Sequence, residues 1–393
     1  MKPVLAVFID GLKPESVKYM DFISNFNKRR IKTELIGYSP TCHASIYTGV
    51  YPNKHLQLFV WKYSPETSPF KIFKKLNLHK IPQNIYIKFL LYIALLRIRY
   101  KIPYTLIFSG LSMQPMNNWL NFDFDIVKAW TEPDPFVGNY PTVFKILKDN
   151  NIDYEIVGMQ PKGAKSSESV RAHKLRSIKP LTYYYIGDID PLSDKYGQDS
   201  KEARNRLKEI DYILEEKYRL FEKKFDNFYF LVFSDHGHIK VKKRIDLYSF
   251  FESNGRNLNN YIHFLDALHL RFWFRNEREK EEVVEILSKL ESKGIGYILT
   301  DEIMKKYHSD MPDNRYGDLI FYIDVPYISK TCPVNSMHGY SPEYPDSDGV
   351  FITNKEITTD ETHVKLQDIT PSILHAFNIV VPKYMDGEVI WKD

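Results

Sequence analysis

The sequence predicts an α/β fold, a doubly wound and mostly parallel sheet with helices on both faces, and three observations carry that expectation. Val4 to Ile9 is an apolar run without alternation, as suits a strand buried on both faces of a parallel sheet, and it ends in Asp10-Gly11. Phe228 to Phe233 is a second run of the same kind, followed at once by Ser234-Asp235-His236-Gly237. Before it, Lys201 to Lys224 sets Leu207, Ile210, Ile213, Leu214 and Tyr218 on one helical stripe, so helix, strand and polar tip follow one another.

The remaining elements follow from the N-terminus. Ser39-Pro40 opens a helical run, with the hydroxyl just ahead of the first turn. A weaker helix and strand unit runs from Val143–Lys148 into Tyr154–Val157. Two stretches break the alternation. Residues 56–139 are rich in aromatic, Ile, Leu and Lys residues and read as a cap inserted beside the active edge; within them Phe59, Trp61 and Tyr63 alternate like one face of a short strand. Residues 246–337 have another rhythm, with strands at Leu270–Phe274, Tyr297–Leu299 and Leu319–Ile323 around a charged helix at Glu277–Lys293, which predicts a small α+β subdomain. The organisation expected is one domain over residues 1–393 carrying both insertions, with no internal repeat and no low-complexity linker.

Composition excludes some classes of function. The 54 basic and 50 acidic residues leave a net charge of +4, so no whole-molecule field favours a nucleic-acid polymer as partner. Two cysteines, Cys42 and Cys332, do not make a disulfide framework, and the start MKPVLAVFIDG lacks the zones of a signal peptide. The longest apolar run, Phe89 to Leu96, is far short of the roughly 20 residues that cross a bilayer. A soluble, cytoplasmic protein is expected.

Carboxylates and imidazoles gather where strands should end: Asp10, Asp190 and Asp194 in GDIDPLSDKYG, Asp235 and His236 in FSDHGH, and His338 in MHGY. Each has a plain structural explanation, since Asp at a strand tip commonly caps a helix or makes a turn. Together they form a mixed oxygen and nitrogen donor set suited to two divalent ions. Ser39 has a plain explanation too, as a helix cap. At a helix N-terminus, however, backbone N–H groups and the helix dipole favour an alkoxide and a bound phosphate.

At these residues the sequence resembles the alkaline phosphatase superfamily, and within it the type I phosphodiesterase/nucleotide pyrophosphatase-like branch. The likeness lies in VFIDGL, SPTCHASIYTGVYPNKH, DIDPLSDKYG, FSDHGH, MHGYSPEYPDSDGVF and LQDITPSILHAFNIVVPKYMDG, in the family's order. It implies an alkaline phosphatase-like core and a nucleophile ten positions before Gly49, which is Ser39, with Thr41 as the second candidate. It also implies one metal held by Asp10, Ser39, Asp235 and His236, another held by Asp190, Asp194 and His338, and in-line displacement through a phosphoseryl intermediate.

Two departures stand out. The family motif around Asp190 reads Asp, three residues, His, and here Asp194 replaces the His, which shifts the expected ions from zinc towards manganese or magnesium. The Asn that binds a phosphate oxygen in this branch is missing after His55, leaving Gln57, Trp61 and Lys62 as substrate-binding candidates. The substrate implied is a small phosphate ester or diester, with nucleotide and lipid-linked forms both open. Residues 85–108 mix apolar and basic groups, which suits a helix beside the site, in a homodimer contact or at a membrane surface. A phosphomonoesterase, a phosphoethanolamine-type transferase and a silent metal-binding relic are the competing readings. A sulfatase is disfavoured because Thr41 and His43 stand where its motif has Pro and Arg, and a phosphomutase because its inserted domain is larger and less apolar.

Overall fold

The computed structural model describes residues 2–75, 90, 114–125, 136–159, 165–175, 178–358 and 362–391. A seven-stranded sheet forms the centre. Its strands are β1 (Val4–Ile9), β2 (Asn27–Lys32), β3 (Tyr154–Val157), β4 (Leu181–Ile186), β5 (Tyr229–Phe233), β6 (Gly349–Thr353) and β7 (His363–Lys365), in the spatial order β7-β2-β6-β5-β1-β4-β3. All pairs are parallel except those of β6, which runs against both β2 and β5.

Alternate residues of β1 feed two different cores, which is why its sequence shows no polar face. Val4, Ala6 and Phe8 pack with α1 (Ser39–Thr48), α2 (Val143–Asp149) and a C-terminal helix at Ile369–Ala376. Leu5, Val7 and Ile9 pack with α3 (Ile189–Tyr196) and α4 (Lys201–Lys224), through Ile189, Leu207, Ile210, Ile213 and Leu214. Each such aliphatic side chain, fully removed from water, contributes about 1.5–3 kcal/mol before chain entropy is counted. The helix expected over 201–224 and the strand over 154–157 have those bounds.

Two corrections concern the sheet. β4 reads LTYYYI, whose hydroxyls hide a buried central strand; Tyr183 and Tyr184 are both buried in it. Asp190 and Asp194 consequently do not lie at a strand tip. They sit four residues apart on α3, which follows β4.

Outside this sheet, Ile262–Leu265, His269–Trp273, Leu319–Ile323 and Gly296–Ile298 form a four-stranded antiparallel sheet, with the helix Glu277–Glu291 packed on it through Val283, Ile286, Leu287 and Leu290. Trp61–Tyr63 pairs with Phe122–Phe124, and Trp61, Phe70, Trp119 and Phe122 pack against Phe264 and Trp273 of that antiparallel sheet. Apart from Leu90, the stretch 85–108 lies outside the described residues. Among the described residues no helix is long and apolar enough to cross a membrane, and both cysteines are free and buried.

Candidate active site

β1 lies between β4 and β5, with Phe8 level with Phe233 and Ile9 level with Ile186. The residues that follow these strands therefore emerge side by side at the carboxyl edge, where open α/β sheets bind ligands. Asp10 and Asp235 are both buried there. One oxygen of each is fixed: the Tyr185 hydroxyl donates to Asp10 Oδ2 at 2.7 Å, and the Gly11 amide to Asp235 Oδ1 at 3.3 Å. The other two, Asp10 Oδ1 and Asp235 Oδ2, are buried without a hydrogen bond and lie 3.6 and 3.2 Å from His236 Nε2.

Ser39 begins α1, with Tyr38 extended ahead of it and Pro40 fixing the first turn. Its Oγ lies 3.4 Å from His236 Nε2. Thr41, two residues on, points elsewhere and donates to the Leu58 carbonyl at 2.6 Å. On the other side Asp190 Oδ1 lies 3.0 Å from His238 Nε2 and 3.6 Å from His338 Nε2. His236 and His338 stack face to face, 3.9 Å apart and 7° from parallel.

Burial pushes the Asp10 carboxyl well above its ordinary range, and the nearby charge of Asp235 adds to the effect. Burial lifts Asp235 to about 8, and burial with the charge of Asp190 lifts Asp194 to about 9. Burial also raises Asp190, but the hydrogen bond from His238 and the charges of the surrounding imidazoles outweigh it and hold that carboxyl low. His236 and His338 are held below the usual imidazole range by burial, which leaves them neutral with a lone pair to donate. Buried carboxylate oxygens without partners beside neutral imidazoles are costly alone and fit a divalent cation, which would compensate the charge. Donor atoms of Asp10, His43 and Asp235 lie within 4.8 Å of one another, as do those of Asp190, His236 and His238.

Of the residues the sequence singles out, Asp10, Ser39, Asp235, His236, Asp190 and His338 come together here. Asp194 reaches this group through His238, whose Nδ1 is 3.7 Å from its Oδ1. Gln57, Trp61 and Lys62 make contacts of a structural kind. The Gln57 amide donates to the carbonyls of Phe59 and Asp125, Trp61 lies in an aromatic core against Phe124, and Lys62 pairs with Asp125 at 2.9 Å.

His43, Tyr185 and His238 join the site without being singled out in the sequence. For His238 the signal is present in the motif, since alternate residues of an extended His-Gly-His segment share a side. Tyr185 stands in a strand whose hydroxyls mask it, and His43 lies inside a helix where a buried His is usually core.

A model of the family described as type I phosphodiesterase/nucleotide pyrophosphatase matches residues 4–341. No curated protein matches the chain. Among solved structures, human ectonucleotide pyrophosphatase/phosphodiesterase 5 aligns over 98% of this chain and 97% of its own, at 13% identity and a TM-score of 0.67. Its murine counterpart aligns over 97% and 96%, at 13% identity and 0.66. An inactive murine form in complex with AMP aligns over 97% and 96%, at 12% identity and 0.65. At these identities the structural likeness establishes the fold, an alkaline phosphatase-like one, while the family match spans most of the chain. The chain belongs to the type I phosphodiesterase/nucleotide pyrophosphatase family, a branch of the alkaline phosphatase superfamily.

Proposed function

We propose that this protein is a metal-dependent phosphodiesterase that works through a phosphoseryl intermediate on Ser39, with two divalent ions held by the clustered carboxylates and imidazoles. The observation that carries this reading is the position of Ser39 Oγ, at the start of a buried helix and 3.4 Å from His236 Nε2, beside buried carboxylate oxygens without hydrogen-bond partners. Asp10, Asp235 and His236, with Ser39 itself, would hold one ion. Asp190 and His338 would hold the other, with a third donor from the Asp194 and His238 side. Ions bound there would lower the pKa of the Ser39 hydroxyl and offset the charge that spreads over the phosphoryl oxygens.

The side chains of the protein account for the remaining requirements. Tyr185 and the Gly11 amide orient the two carboxylates, so their free oxygens face one space. The first turn of α1 fixes Ser39 for in-line attack, in which the Oγ–phosphorus bond forms as the bond to the leaving oxygen breaks. Water then attacks the same phosphorus from the opposite side and releases Ser39. Thr41 is withheld from this role by its bond to the Leu58 carbonyl. The AMP complex of the murine relative supports a nucleotide-type substrate, a small molecule rather than a polymer.

The test is hydrolysis of bis-p-nitrophenyl phosphate beside p-nitrophenyl phosphate, on metal-stripped protein resupplied separately with zinc, manganese and magnesium. Restored activity with preference for the diester is expected. A preference for the monoester would replace the diesterase reading with a phosphatase. Inactivity on both esters with metal bound would overturn hydrolysis in favour of transfer to a specific acceptor.

A further inference from the structure

The family motif expects an imidazole at position 194, and this chain has a carboxylate there. The structure supplies an imidazole from elsewhere. Ile239–Lys240 pairs antiparallel with Ser336–Met337, Ile239 opposite Met337 and Lys240 opposite Ser336. One residue further along the same ladder, His238 stands opposite His338, and cross-strand neighbours of this kind share a face. Their rings lie 5.4 Å apart at 73°. The Nε2 atoms of both approach one oxygen, Asp190 Oδ1, at 3.0 and 3.6 Å.

Asp194 stands behind this arrangement. Its Oδ1 is buried without a hydrogen bond, 3.7 Å from His238 Nδ1, the nitrogen that faces away from Asp190. Ser336 Oγ lies 3.5 Å from the same Nδ1 and donates to the Ser193 carbonyl, which ties the short ladder to α3. Gly11 makes room on the near side: a Cβ at that position would lie 3.0 Å from His238 Nε2.

We propose that His238 Nε2, with Asp190 and His338, is the third protein ligand of the second metal position, and that Asp194 is a positioning residue acting on His238 Nδ1. The inference rests on the two-metal reading above and deepens it. The imidazole comes from the end of the short ladder instead of the helix, and the carboxylate at position 194 holds it in orientation, as carboxylates commonly do for metal-bound histidines. The donor set is then one carboxylate and two imidazoles, the same set that a His at position 194 would give. Such a set keeps zinc as a suitable ion, where a second carboxylate ligand would favour harder ions.

The experiment is titration of the metal-stripped full chain with zinc by equilibrium dialysis and with cobalt(II) by visible absorption. The wild-type protein should bind two equivalents. His238→Ala should lose one, with loss of the corresponding cobalt bands. Asp194→Asn should keep two, the second weakened about 10–100-fold with a small band shift. Adding Asp194→His to His238→Ala should restore the second equivalent, which separates ligand loss from misfolding. Circular dichroism of the metal-free variants provides the folding check, and Asp194→Asn decides alone if His238→Ala does not fold. Two equivalents at wild-type affinity in His238→Ala, or one equivalent in Asp194→Asn, would overturn the assignment while leaving the two-metal reading intact. Fewer than two equivalents in the wild type would overturn both.

Discussion

The two halves of the cluster are built differently. Asp10 and Asp235 follow neighbouring strands of the central sheet, where ladder hydrogen bonds on both sides set their level, and each has one oxygen tied to a fixed group. Asp190, His238 and His338 stand on a helix and on a two-residue ladder, elements attached to the sheet rather than part of it. The strand-borne half allows its donors little freedom to exchange positions, because a slip in register would turn every side chain to the wrong face. The appended half can keep its chemistry while a donor moves from one element to another. Of the two departures from the family motif, the one among the clustered donors, Asp194, falls in the appended half.

This contrast can be broken in three ways. The largest effect is expected from Ser39→Ala, which should lower turnover by on the order of 10⁴-fold while the Asp190 half still binds its ion. Full metal-dependent activity in that variant would remove Ser39 from its role, and Thr41 would be the next residue to replace. The second test addresses how α1 is held. Glu34 is buried, accepts from Ser45 Oγ of α1 and from the Gln367 amide at 2.6 Å each, and burial lifts its carboxyl to about 7 from 4.5.

A carboxyl whose folded value is raised binds its proton more tightly in the folded state. Its contribution is therefore full below pH 4.5 and is lost as pH rises through about 7. Glu34→Gln should abolish that loss, leaving the variant more stable than the wild type at pH 8 by on the order of 3 kcal/mol, with the gap closing below pH 5. Chemical denaturation at several pH values reads this directly; parallel pH profiles for the two proteins would refute it. The smallest effect is expected from Gly11→Ala, at a φ of +74°. About 1–2 kcal/mol of stability should be lost, together with affinity at the second metal position more than at the first. Equal weakening at both positions would argue against the separation of the halves.

Legibility in the sequence follows the same division. Strands β1 and β5 are readable because burial on both faces leaves continuous apolar runs, and the acidic tips that follow them are readable for that reason. β4 is not, because its tyrosines place hydroxyls in the core and resemble a mixed surface strand. β2 and β6 are also missed; in β2 only Ile31 is buried, Arg29, Arg30 and Lys32 are half-buried, and no apolar run marks the strand. His238 sits in plain sight two residues after His236, but its relation to Asp194 depends on a two-residue ladder that pairs positions about a hundred residues apart. Gln57, Trp61 and Lys62, polar and aromatic types suited to a ligand, make their contacts inside the cap, with Phe59, Phe124 and Asp125.

The stacked imidazoles carry a consequence for how the site fills. On the two-metal reading His236 would serve the Ser39 side and His338 the Asp190 side, and the two rings lie flat against each other, 3.9 Å apart and 7° from parallel. Occupation of one half would thus change the resting place of a donor in the other. If two ions bind as proposed, the two loading events would be linked, and a binding isotherm for this protein should depart from the sum of two independent curves.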